Sequence, residues 1–143
     1  MKSSKIYSSI KNKYNIMIIK LKDENNKYNY LDLDDHLFDE DSEDIYKNKS
    51  IYILHYPNGN KASVSYGYGI EKINNYDIKH LCNTEGGSSG SPILSAMTNK
   101  IIGIHKATRK KIIGKDEIVL FNFGTFLKYP LSEFSNIFSS FSK

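Results

Sequence analysis

The sequence predicts a mainly β domain: six short strands forming a small barrel or sandwich, closed by a C-terminal helix. Three observations carry this reading. Short β-prone stretches recur between residues 50 and 123. Segments rich in Gly, Asn, Asp and Pro separate them, as turns do. After Pro130 the apolar period lengthens, with Leu131, Phe134, Ile137, Phe138 and Phe141 at helical spacing.

Bulk properties narrow the class. With 143 residues, 39% hydrophobic, 13% aromatic and 25% charged, the chain suits one compact domain. No apolar run approaches the ~20 residues that span a bilayer, so no membrane partner is expected. The basic start Met1-Lys2-Ser3-Ser4-Lys5 lacks the apolar core of a signal peptide, and a cytoplasmic location is expected. The single cysteine, Cys82, rules out an internal disulfide and suits a reducing compartment. The net charge of +4 raises a nucleic-acid reading. The lysines are scattered among Asn and Ile, however, so the charge reads as compositional bias and no nucleic acid is expected.

Taken in order, residues 1–31 are basic and hold one strand, Asn15-Ile-Met-Ile-Ile-Lys-Leu21, β-branched and bounded by polar residues. Residues 32–49 follow, with eight acids between 32 and 44, and read as a solvated connection. Alternating carboxylates there resemble a cation loop, but the glycine of an EF-hand turn is missing; neither metal nor cofactor is expected. Residues 50–143 form the main body. Residues 50–56 are apolar and β-prone, and Pro57-Asn58-Gly59-Asn60 is a strong turn signal. Residues 62–67 alternate, as a half-buried strand does. Residues 77–82, 93–95, 100–106 and 118–123 supply the other four strands, and Pro130 opens the helix.

The segment with chemistry in it is Thr84-Glu85-Gly86-Gly87-Ser88-Ser89-Gly90-Ser91-Pro92-Ile93-Leu94. Nucleophilic catalysis needs an exposed hydroxyl on a tight turn and backbone N–H groups aimed at the developing oxyanion. Gly87 can take the backbone conformation that turns its N–H inward. Ser89 then supplies the hydroxyl and a second N–H.

Gly87-Ser88-Ser89-Gly90-Ser91-Pro92 resembles the G-x-S-G-[GS]-P motif of the trypsin-like, chymotrypsin-fold serine peptidases, and Ile101-Ile-Gly-Ile-His105 resembles the strand that follows it there. The resemblance spans about residues 14–142 and is specific from about 84 to 106. It implies a double β-barrel. This chain would hold the C-terminal six-stranded barrel, the terminal helix and a remnant of the first barrel in residues 1–31. It also implies Ser89 as nucleophile, Gly87 as oxyanion donor, and a peptide or protein substrate. Thr84 and His105 are similar to the pair that helps hold an acidic side chain in bacterial glutamyl endopeptidases, with Thr108 a third member and second hydroxyl.

The family's triad is incomplete here. Its aspartate begins a strand of the type D-I-A-L-L-x-L, and that position holds Asn15. An amide there can orient imidazole but carries no charge, and the equivalent Asp→Asn change lowers turnover ~10⁴-fold in a well-studied triad. The base histidine belongs well upstream, and none precedes Asn15. The four histidines are His36, His55, His80 and His105. His55 and His80 fall within strands, and His36 with Asp34 or Asp35 is the one rewired pair the sequence offers. The expectation is a peptidase homologue that is truncated or inactive, with a non-catalytic peptide-binding module as the alternative. A lone second barrel would also expose an apolar face to a partner.

Overall fold

The computed structural model describes residues 6–7, 13–19, 29–69 and 71–140. The chain divides into two compact units, 1–31 and 32–143.

In the first unit, β1 (Ile6–Tyr7) pairs antiparallel with β2 (Ile18–Ile19), Ile6 opposite Ile19. The strand expected from Asn15 therefore begins three residues later. Asn15 has φ 55°, in the left-handed region that Asn tolerates and strands do not enter. Lys20 and Leu21 lie outside the described residues.

In the second unit the acidic stretch is not the solvated connection its composition suggests. Asp35–Phe38 form a 3-10 turn and Ser42–Tyr46 a short helix, α1. Leu37 and Tyr46 are buried beneath them. Leu33 bridges in parallel to Ile101, with Asp34 N–H donating to Ile101 O and Ile101 N–H to Asp32 O. One acid goes inside: Asp34, 2% exposed, accepts from Tyr46 Oη at 2.6 Å, from His36 N at 3.0 Å and from Thr98 Oγ1. Burial pushes its carboxyl up, but the Thr98, Tyr46 and His36 hydrogen bonds outweigh this and hold it below the usual carboxylate range. The other acids stay outside because nothing inside can pair with them.

The main sheet has seven antiparallel strands: β3 (Ser50–His55), β4 (Ser63–Tyr68), β5 (Glu71–Lys72), β6 (Asp77–His80), β7 (Pro92–Ser95), β8 (Ile101–Ile113) and β9 (Asp116–Phe126), in the spatial order β4-β3-β7-β8-β9-β6-β5. The strand beyond the six expected is β5, two residues paired to β6. The sheet curls far enough that Leu81 N–H, just past β6, donates to Tyr68 O at the far edge (3.3 Å). Ile51, Ile53, Ile78, Ile93 and Ile102 fill the core. Each contributes about 1.5–3 kcal/mol by burial.

β8 and β9 run well past their expected ends. Beyond Arg109 and Phe121 they pair only with each other, as far as Ile113 opposite Asp116. Charged side chains of 109–111 hide the alternation that a strand would show, because neither face of this ribbon is buried. The terminal helix α2 (Lys128–Ser140) starts two residues before Pro130, which sits in the first turn, where a missing N–H costs nothing. Phe134 is buried on it; Phe141 lies outside the described residues. Lys128 Nζ ties the helix start to Ser42 Oγ (2.9 Å) and Asp39 O (2.5 Å).

Replacing Asp34 with Ala strands the buried hydroxyl of Tyr46 and removes the acceptor of the exposed Thr98. The expected cost is about 1–3 kcal/mol in urea unfolding, against less than about 1 kcal/mol for Asp39→Ala, whose bond to His36 is exposed.

Candidate functional site

Residues 81–91 connect β6 to β7 and carry two successive turns. Ser88 N–H donates to Glu85 O (3.1 Å) and Ser91 N–H to Ser88 O (3.2 Å). Gly87 (φ 86°) and Gly90 (φ 87°) each occupy the third turn position, where a type II turn requires positive φ. A Cβ at Gly87 would also lie 3.1 Å from Tyr56 O, so the 56–60 loop leaves no room for a side chain. Ser89 stands at the exposed corner of the second turn. The turn is locked to β8 on both sides, by Gly90 N–H to His105 O (2.8 Å) and His105 N–H to Ser91 O (2.9 Å).

This geometry brings four of the residues singled out in the sequence into one cleft of about 530 Å³: Thr84, Ser89, His105 and Thr108 line it. Gly87, on the first turn, is not among the residues that line it; among the described residues neither its N–H nor that of Ser89 donates to a protein acceptor. Asn15 belongs to the N-terminal unit. His36 points its Nδ1 at Asp39 (2.8 Å), so the pair with Asp34 or Asp35 does not form. Its ring is raised above its ordinary value by the Asp39 hydrogen bond.

The Ser89 hydroxyl donates to Lys106 O at 2.8 Å, its one hydrogen bond among the described residues. Lys106 sends its ammonium the other way, to both carboxylate oxygens of Asp77 (2.9 and 3.2 Å). A backbone carbonyl oxygen is too weakly basic to take the hydroxyl proton, and an ammonium held in an ion pair has no lone pair with which to accept one, so neither acts as base toward Ser89.

Behind the cleft lies a histidine pair. His80 Nε2 and His105 Nδ1 are 3.0 Å apart and both rings are buried. Burial, then repulsion from His105, pushes His80 down to about 3; burial, then His55, pushes His105 down to about 4. Both are neutral at pH 7. Among the described residues, His80 Nδ1 is the one buried side-chain polar atom without a partner. An orphaned lone pair costs less than an orphaned N–H. The shared hydrogen is therefore assigned to His80 Nε2, which leaves the His105 hydrogen on Nε2.

Sequence reasoning missed three participants. Ser88 is fully buried and bonds His55 Nδ1 at 2.8 Å, while accepting from Glu85 N–H at 3.2 Å. It anchors the turn and has no path to a substrate. His80 is the second. Asn122 is the third: its Nδ2 donates to Cys82 O (2.7 Å) and its Oδ1 accepts from Thr84 Oγ1 (2.9 Å) and Thr108 Oγ1 (2.5 Å). A buried amide inside the apolar run 118–123 was the available signal. Only the carbonyl of Cys82 takes part; burial pushes its thiol up to about 12.

No family model matches the chain, and no curated protein matches it. Among the described residues no helix is long and apolar enough to cross a membrane, and no group of three His, Cys, Asp or Glu is placed to hold a metal ion.

The neutral histidines set a pH window. Unfolded, each binds a proton near pH 6.5; folded, each resists until about 4 or about 3. Their contribution is complete above pH 6.5 and is lost progressively as the pH falls toward the folded values. The slope approaches about 1.4 kcal/mol per pH unit for each ring. Urea midpoints between pH 6.5 and 4.5 should fall steeply in the native chain and less steeply in His80→Phe.

Proposed function

We propose that the chain is a homologue of the trypsin-like serine peptidases, that its curled sheet corresponds to the second barrel of that fold, and that the cleft beside Ser89 receives a peptide. The observation that carries this is the convergence of Thr84, Ser89, His105 and Thr108 on one cleft, with Ser89 at the exposed corner of the second of two glycine turns. The resemblance in the motif would require such a meeting, and no feature of composition would.

In the family's chemistry the serine oxygen attacks a peptide carbonyl. Its proton passes to imidazole, and two backbone N–H groups hold the oxyanion. Here Gly87 and Ser89 have N–H groups to offer, each worth about 2.7–4 kcal/mol where such donors have been removed. The imidazole is lacking: the Ser89 hydroxyl is held by a carbonyl, the histidines of β6 and β8 bond each other, and Asn15 stands at the aspartate position of the motif. The chain therefore reads as a peptide-binding peptidase homologue whose serine is not activated by its own residues.

A fluorophosphonate probe tests this. The chain should label no faster than Ser89→Ala, and Ser89→Ala should bind a fluorescent extended peptide within about threefold of the native affinity. Rapid labelling lost in Ser89→Ala would mean an active nucleophile and overturn the silent reading. Absence of both labelling and peptide binding would overturn the peptidase-like reading.

A further inference from the structure

Asn122 decides what the two cleft threonines can offer. Its Nδ2 is committed to Cys82 O, and turning the amide over would set Oδ1 against that carbonyl, acceptor against acceptor. Its Oδ1 therefore faces Thr84 and Thr108 and takes a hydrogen from each. Their oxygens retain lone pairs, but their hydrogens are spent. The His105 ring, neutral with hydrogen assigned to Nε2, adds one donor. The cleft's floor thus presents one donor and two acceptors.

Nearby charges point the same way. The two lysines that line the cleft are already paired, Lys106 with Asp77 and Lys110 with Glu117. Glu85, on the same lining, adds negative charge. An incoming carboxylate would accept only, would meet threonine lone pairs, and would find no unpaired lysine on the lining. A glutamine side chain of the same length has the complementary set: its carbonyl accepts from His105, and its NH₂ donates to Thr84 Oγ1 and Thr108 Oγ1.

We infer that Asn122 is a specificity-determining residue and that the cleft takes a glutamine side chain in preference to a glutamate. This rests on the peptide-cleft reading above and narrows its substrate class.

The test uses the full chain and three fluorescein-labelled hexapeptides that differ only in the residue entering the cleft: Gln, Glu or Ala. Fluorescence polarisation at pH 7 should give Gln at least ~10-fold tighter binding than Glu, the effect of one well-made hydrogen bond together with one avoided buried charge. Thr108→Val and Thr84→Val remove an acceptor and should each lower Gln affinity ~5-fold while leaving Glu nearly unchanged. Asn122→Leu frees both hydroxyls to donate and should bring the Gln:Glu ratio below ~3; should that variant not fold, the two valine variants decide. Glutamate binding as tightly as glutamine overturns the inference, as does a Gln:Glu ratio unmoved by either valine change. Equal binding of all three peptides overturns it while leaving the peptide cleft standing. No binding by any peptide removes the cleft reading, and the inference with it.

Discussion

Between His105 and Ala107, β8 carries one residue more than β9 opposes, and the contents of the cleft follow from that extra residue. His105 sits across from Gly124 and Thr108 across from Asn122. Without the bulge, residues 105 and 107 would share a face and Thr108 would point away. With it, His105, Thr108 and Asn122 face one side, joined there by His80, which pairs with Asn122 from β6. The bulge also leaves Lys106 with its carbonyl toward Ser89 and its ammonium toward Asp77. One register shift thus determines the wall of the cleft, the restraint on the serine and a part-buried ion pair.

Much of this was legible in the residues. The β class, four of the six strands nearly to their ends, the turns around Ser89 and the terminal helix follow from alternation, glycine placement and helical spacing. Thr84, Ser89, His105 and Thr108 could be grouped because a motif links them. What stayed hidden depends on contacts across the sheet. His80 and Asn122 are 42 residues apart and meet through register, which no local pattern encodes. The run around Asp34 looked solvated because eight acids dominate it; three hydrogen bonds to one carboxylate, and the apolar Leu37 and Tyr46, decide otherwise. The ribbon beyond Arg109 was invisible for the opposite reason: exposed on both faces, it has no period to read.

The polar interior is organised so that each group's alternative is worse. Asp34 is ionised inside because three donors surround it. His80 and His105 are neutral inside because nothing anionic does. Asp77 keeps a counterion in Lys106 and a hydroxyl partner in Thr125. Breaking one member of such a set leaves its neighbours unsatisfied, which costs more than the bond itself contributes. These clusters hold the acidic segment and the loops at either end of β6 to the curled sheet.

The buried thiol of Cys82 has a practical corollary. A side chain with no exposed surface and a thiol displaced upward to about 12 supplies almost no thiolate at neutral pH. Maleimide and iodoacetamide reagents will pass it by while the fold is intact. A cysteine placed on the exposed 112–119 ribbon can then carry a dye, spin label or crosslinker as a single reactive handle, with the core packing of Cys82 left intact.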